Sequence, residues 1–495
     1  MTDHVKLKKD LSWWDCSGII VGIILGTGIF SAFPGLIAKY NTSTFIILLA
    51  WVAGGIFAWF GAMCYAELSS LFPHAGGDYT FLHKAYSLKG ENVVSFLFGW
   101  SQIFVIRPAS IVILALIFGR ELQNILPAQM VSAMWFPSFF FALALLAGVT
   151  FINILGISAG KFTQNTITII KILIIVFLIV YGLIKAQGVE TNFAPMFLPE
   201  GKTFWQMIPG FFSAIVLVMW VYGGWNEAAY IAEEVKNPHH DIPKALFMGI
   251  FGVAILYIGL NYIFLLHFSP SGLANTYTPS SDLMSAWFSS RGRVIMSSIV
   301  MISAAGAVNG LVMTGGRMSY GIAKHSPSLK YFSKLHPKFK TPVKPLLANF
   351  LITAVVLISS RGDISSIENL TFYTAGVYWY FFALVVISLI IFRVKIKEAD
   401  IPFKVPLYPF APIVFLFVSG VLIWGAFDYK PFETLIGISI LTIGIPIYYL
   451  INFNKPDNTL HLGPKDDRRI NTDDRRQNKE ERRKSDLGRQ SSEEI

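Results

Sequence analysis

Twelve apolar runs, each about 20 residues long, dominate the 495-residue chain. As a helix, a run of that length crosses the ~30 Å hydrocarbon core of a bilayer. The expected fold is therefore an all-α polytopic membrane protein with twelve transmembrane helices. They are expected at 14–38, 44–69, 92–120, 132–153, 162–187, 205–232, 243–268, 293–322, 345–360, 367–393, 407–427 and 432–452. Composition agrees. With 54% hydrophobic and 14% charged residues and a mean hydropathy of +0.56, the chain is not an ordinary soluble domain. Cys16 and Cys64 lie in or beside apolar runs and offer no disulfide framework. The polar, basic N-terminus leads into a full span rather than a short apolar core, so no cleavable signal peptide is expected.

The placement of lysine and arginine sets the orientation. Lys6, Lys8 and Lys9 precede span one, six lysines from Lys324 to Lys344 lie between spans eight and nine, and Arg393, Lys395, Lys397 and Lys404 follow span ten. The opposite loops hold scattered single cations or pairs, such as Lys39, Arg120 and Lys430. This bias predicts a multi-pass protein of the cell inner (plasma) membrane with both termini cytoplasmic. It also accounts for most of the formal net charge of +10, so no nucleic-acid partner is expected. Residues 1–13 form a cytoplasmic N-terminus and 14–452 the transmembrane domain. Residues 453–495 carry Asp-Asp-Arg-Arg and Glu-Glu-Arg-Arg blocks every seven residues with almost no apolar seam, and are expected to be a disordered, charged cytoplasmic tail.

Two spans are interrupted by glycine. Span one contains Gly26-Thr27-Gly28, and span six contains Gly223-Gly224 followed by Trp225, Asn226 and Glu227. Glycine weakens a helix, and open backbone at membrane depth is tolerated only where it is buried in protein or lines a cavity. Glycines in one span alone fit close helix packing. Breaks in spans one and six divide spans one to ten into two corresponding halves, about 14–187 and 205–393, with helices 11 and 12 at about 407–452. That is the pattern of an inverted-repeat transporter with its substrate at the midplane. Backbone N–H groups near Thr27 and Gly28 suit a carboxylate. Carbonyls near Ile24 and from Trp220 to Gly223 suit an ammonium. Together they match a zwitterionic α-amino acid.

Several motifs give this pattern a family. They are Gly26-Thr27-Gly28-Ile29-Phe30, Cys64-Tyr65-Ala66-Glu67-Leu68, Pro73-His74-Ala75-Gly76-Gly77-Asp78-Tyr79, Ile106-Arg107-Pro108-Ala109-Ser110, Tyr222-Gly223-Gly224-Trp225-Asn226 and Glu233-Glu234-Val235-Lys236-Asn237-Pro238. In these the chain resembles the L-type amino acid transporter family of the amino acid–polyamine–organocation superfamily, in its single-chain bacterial form. The resemblance implies a LeuT-type 5+5 inverted repeat with broken helices 1 and 6, and alternating access. It implies the substrate carboxylate on Gly26, Thr27 and Gly28, and its ammonium on carbonyls of Ile24, Trp220 and Gly223. Trp220, where relatives usually carry phenylalanine, takes the position of the gating aromatic. Tyr222, Gly224, Asn226 and Val105, with span eight near Ser303 to Asn309, complete the pocket and gate.

Lys171 lies about ten residues into span five, hence about 15 Å deep. An intramembrane charge is a functional candidate, although lysines also snorkel to the interface. The resemblance implies that Lys171 reaches the span-one break in place of a sodium ion, so transport is sodium-independent. Arg107 is read either as half of a structural ion pair or as a gating residue, and Glu67 as a structural partner. The loop from Leu122 to Phe136 has no cysteine, so the disulfide-linked heavy chain of eukaryotic relatives is not expected.

The expected activity is sodium-independent exchange of neutral L-amino acids, since no intramembrane acid lines up with a substrate side chain. A proton-coupled symporter is the alternative. A membrane sensor or an embedded enzyme belongs to another class. The spans lack an H-E-x-x-H, clustered His and Cys, or a P-loop, so no catalytic residue, metal site or cofactor is expected.

Overall fold

The computed structural model describes residues 7–30, 33–40, 43–87, 92–132, 137–186, 196–197, 201–276, 278–325, 327–360, 365–429 and 431–452. The charged tail lies outside the described residues, as does part of the loop after span three. Regular structure among the described residues is helical apart from one isolated bridge. In chain order the helices are α1 Trp13–Ile24, α2 Phe33–Tyr40, α3 Thr44–Leu71, α4 Asp78–Tyr86, α5 Val93–Ser101, α6 Arg107–Ile125, α7 Ala128–Ser132, α8 Pro137–Leu155 and α9 Ile157–Lys185. There follow α10 Phe204–Val221, α11 Pro238–His267, α12 Pro270–Ala274, α13 Pro279–Phe288, α14 Ser290–His325, α15 Val343–Ser359, α16 Ser365–Lys395, α17 Phe410–Tyr429 and α18 Pro431–Asn452.

Among the described residues, ten helices are long and apolar enough to cross a membrane. The first and ninth expected runs fall short, forming apolar helices at Trp13–Ile24 and Val343–Ser359. At 12 residues, α1 is about 18 Å long, which does not reach across a ~30 Å core. The first run stops there because its backbone turns at residues 25–27, before Gly28–Phe30 continues as a short 3₁₀ segment.

Burial is arranged for lipid. Large apolar side chains face outward, among them Phe162, Leu173, Phe251, Leu351 and Trp424. Lys171, Arg107, Arg317, Glu67, Glu227 and Glu234 are buried. Charges at membrane depth are stable only when partnered inside the bundle, and these are. Arg317 Nε donates to Glu234 Oε2 at 2.7 Å. Arg393 Nη2 and the Val405 N–H both donate to Glu67 Oε2 at 2.7 Å, the structural partnership expected of Glu67.

α1 packs against α9, α11 and α14, while α10 packs against α2 and α3. The chain before α1 is also tied to the end of the sixth expected span. The N–H groups of Asp10 and Leu11 donate to Glu234 O at 3.0 Å, and Lys236 N–H donates to Leu11 O at 2.9 Å. Two segments that sequence reasoning treated separately are therefore joined at one end.

Candidate functional site

The turn after α1 is centred on Leu25. Its φ of −69° and ψ of 54°, with Gly26 N–H donating to Ile24 O at 2.6 Å, make an inverse γ-turn. Neither Gly26 nor Gly28 has a positive φ. The need for glycine at 28 is one of space, because a Cβ there would lie 3.3 Å from Val221 Cγ2 and 3.4 Å from Val221 Cγ1. At Gly26 a Cβ would make only ordinary contact, 3.5 Å from Ile23 O.

The second interruption follows α10, where Gly224 takes a φ of +117° and leads into the 3₁₀ segment Trp225–Glu234. L-residues avoid this backbone region, and a Cβ would lie 2.8 Å from Ile23 Cγ2. The left-handed glycine is thus in the second break, not the first, and it packs against the last turn of α1.

The carbonyls released at the first break are largely occupied. Lys171 Nζ, on α9, donates to Gly22 O at 2.8 Å and Leu25 O at 2.9 Å. Ser303 Oγ, on α14, lies 2.8 Å from Leu25 O and 2.9 Å from Gly26 O. Tyr257 OH, on α11, donates to Ile24 O at 2.6 Å and is 3.4 Å from Val221 O, bridging the two interrupted helices. Sequence reasoning missed Tyr257. Nothing in the run sets it apart, since Asn261 and Tyr262 follow on the same helix.

A cavity of about 150 Å³ lies between the breaks, well above the roughly 10–15 Å³ one water needs. Ile24, Gly26, Thr27, Gly28, Trp220, Gly223 and Gly224 line it, so the structure brings most of the expected residues together. The Trp220 ring stacks on Phe33, with centroids 4.9 Å apart and planes 9° apart. Other expected pocket residues stand elsewhere, and α14 lines the cavity through Leu311 rather than through Ser303 to Asn309. Tyr222 turns away and donates to Trp51 O at 3.2 Å. Asn226 stands behind the wall, accepting from Tyr378 OH at 3.0 Å, and it is Tyr378 that lines the cavity. Val105 is buried, and Gln102, Ile106 and Arg107 line the cavity in its region.

A π turn explains that last shift. Pro108 has no N–H to give, so the regular bonding of the helix fails there. The five residues Gln102–Ile106 widen into a π turn, with Arg107 N–H reaching Gln102 O. Such one-turn bulges rotate the side chains that follow. Arg107 consequently points inward, where its Nη1 donates to Glu227 Oε2 at 3.0 Å and its Nη2 to Glu227 Oε1 at 3.2 Å. Nη1 also reaches Leu311 O and Thr314 Oγ1, each at 3.1 Å. The ion-pair reading of Arg107 is the one the geometry supports. Glu227 was missed as a pocket acid.

Outside the spans, Asp78 at the start of α4 is buried and accepts from Tyr230 OH at 2.9 Å. Burial pushes its carboxyl up to about 7, against the hydrogen bond from Tyr230 and the nearby Arg107. Among the described residues, no three of His, Cys, Asp and Glu gather where a metal could bind.

Fold and cavity together define a class, a multi-pass membrane protein with a solute-sized chamber between two interrupted helices. An amino acid permease family model matches residues 11–445. The b(0,+)-type amino acid transporter 1 of Mus musculus is 30% identical over 91% of this chain and 89% of its own. The serine/threonine exchanger SteT of Bacillus subtilis (strain 168) is 29% identical over 90% of this chain and 98% of its own. The large neutral amino acids transporter small subunit 2 of Mus musculus is 28% identical over 90% and 81%. The chain belongs to the amino acid permease family of the amino acid–polyamine–organocation superfamily. It is a membrane amino acid transporter and not an enzyme.

Proposed function

We propose that this protein exchanges neutral L-amino acids without sodium, by alternating access across the plasma membrane, with both termini in the cytoplasm. In this reading α1 with α2, and α15, complete twelve spans arranged as a 5+5 inverted repeat. The substrate carboxylate sits at Gly26, Thr27 and Gly28. Its ammonium faces the carbonyls of Trp220 and Gly223. The Ile24 carbonyl joins them when Tyr257 or the Gly26 N–H lets go, since both now bond to it at 2.6 Å. Trp220, stacked on Phe33, is the gate.

The observation that carries this reading is the ammonium of Lys171 on the carbonyls of the interrupted α1. A fixed cation there supplies the charge that a bound sodium would otherwise bring to freed carbonyls. Exchange is supported by the printed name of the serine/threonine exchanger relative. Preference for neutral solutes is supported by the cavity's charges, since Arg107 and Glu227 form a matched pair. With no cysteine between Leu122 and Phe136, no disulfide-linked heavy chain enters the proposal.

The test is counterflow in liposomes containing the purified protein. Labelled neutral amino acid outside should enter rapidly only when unlabelled amino acid is inside, with or without sodium. Uptake that needs sodium, or that follows a proton gradient into empty liposomes, would sink the exchange reading.

A further inference from the structure

The Arg107–Glu227 pair is unusual for a cavity wall. Side-chain exposures are 4% and 5%, and both residues line the chamber. Dry ion pairs lose much of their attraction to desolvation, and apolar residues of similar volume are often no less stable. A pair kept at a solute chamber therefore invites a role other than stability. Its geometry is also fixed. The guanidinium meets both carboxylate oxygens, and its Nη1 is held by Leu311 O and Thr314 Oγ1 on α14. Neither charge can turn to a solute without leaving the other uncompensated in a dry wall.

We propose that the Arg107–Glu227 ion pair is the charge filter for the substrate side chain, admitting neutral side chains and excluding both cationic and anionic ones. The proposal rests on reading this cavity as the amino acid site. Glu227 is withheld from a lysine-like side chain because Arg107 already occupies both its oxygens. Arg107 is withheld from a carboxylate side chain for the converse reason. A zwitterion's own two charges are handled at the breaks of α1 and α10, so the filter acts only on what the side chain adds. The pair also joins the sixth expected span to α6 and α14, and a staple of that kind would affect all substrates alike. A filter makes a different demand, which is that breaking it from opposite ends changes selectivity in opposite directions.

The experiment uses the whole chain in liposomes, with labelled L-serine, L-leucine, L-lysine and L-glutamate as probes. Glu227→Gln leaves Arg107 uncompensated and should raise glutamate uptake relative to the better neutral probe at least tenfold. Arg107→Gln leaves Glu227 uncompensated and should raise lysine uptake in the same measure. The double variant Arg107→Gln/Glu227→Gln should return to neutral preference. Unchanged substrate order in both single variants, or equal loss of all four probes with no reciprocal shift, overturns the proposal. Should the variants fail to insert, the wild type decides. A tenfold excess of lysine or glutamate should leave neutral uptake unaltered, and strong competition by either removes the filter while amino acid transport stands. A wild type that carries none of the four probes refutes the underlying reading instead.

Discussion

Lys171 Nζ stands 2.8 Å from the carbonyl oxygen of Gly22 and 2.9 Å from that of Leu25. One ammonium on α9 thereby holds the last turn of α1 and the γ-turn that ends it. Replacing Lys171 with alanine strips a charged donor from two buried carbonyls, where bonds to charged groups are worth roughly 1.5–3 kcal/mol each. Uptake by Lys171→Ala should fall by about tenfold or more, and external sodium should not restore it. Wild-type uptake by this variant would remove the anchor from the account.

The Trp220 ring lines the chamber and stacks on Phe33. Aromatic pairs contribute roughly 0.5–1.5 kcal/mol beyond area burial, so Phe33→Ala should raise KM for uptake by about two- to tenfold. Trp220→Phe keeps a ring in place and should change KM less than Trp220→Ala. Equal effects of the two Trp220 substitutions would contradict an aromatic gate.

Asp78 carries a pH prediction. Its carboxyl is raised from 3.8 to about 7 in the folded chain, so the fold favours the neutral acid. The associated stability is fully present below the unfolded pKa of 3.8. It declines as pH rises toward 7 and levels off once both states are ionised. The melting temperature in detergent should therefore drop between pH 5 and pH 7.5, and Asp78→Asn should flatten that drop. An identical slope in the variant would assign the pH response to another group.

Arg317 and Glu234 form a second buried pair, away from the chamber, with side-chain exposures of 0% and 1%. Removing one partner strands the other charge, a loss of about 3–5 kcal/mol in buried pairs. Glu234→Gln should lower the melting temperature markedly while leaving the order of substrate preference intact. A shift in substrate preference would show that this pair, too, reports on the chamber.

Much of this architecture was legible as apolar runs and glycine interruptions. The breaks in spans one and six and the gathering of Thr27, Gly28, Trp220 and Gly223 around one cavity follow from them, whereas the reach of Lys171 to the first break was implied by the family resemblance. The misses share a physical cause. Pocket residues were carried over from the family resemblance, and the local helix geometry of this chain turns neighbouring residues to the wall instead. The π turn at Gln102–Ile106 turns Arg107, rather than Val105, toward the cavity. The second break continues at Trp225–Glu234 as 3₁₀ helix, with about three residues per turn. Its changed phase brings Glu227 to the wall and sets Asn226 behind it. Tyr257 was hidden because its hydroxyl meets backbone carbonyls of other helices, a contact that neither spacing nor composition encodes.

The central claim is that an amino acid binds where α1 is interrupted, and Gly28 tests it most directly. A Cβ at this position already meets Val221 at 3.3 Å, so the branched side chain of Gly28→Val must fill the Thr27–Gly28 end of the chamber or push the two breaks apart. The measurement is equilibrium binding of labelled neutral amino acid to purified wild type and Gly28→Val, each first shown to be inserted and to melt cooperatively. Wild type should bind saturably, and the variant at least a hundredfold more weakly. Equal affinity in the two proteins would contradict binding at the α1 interruption.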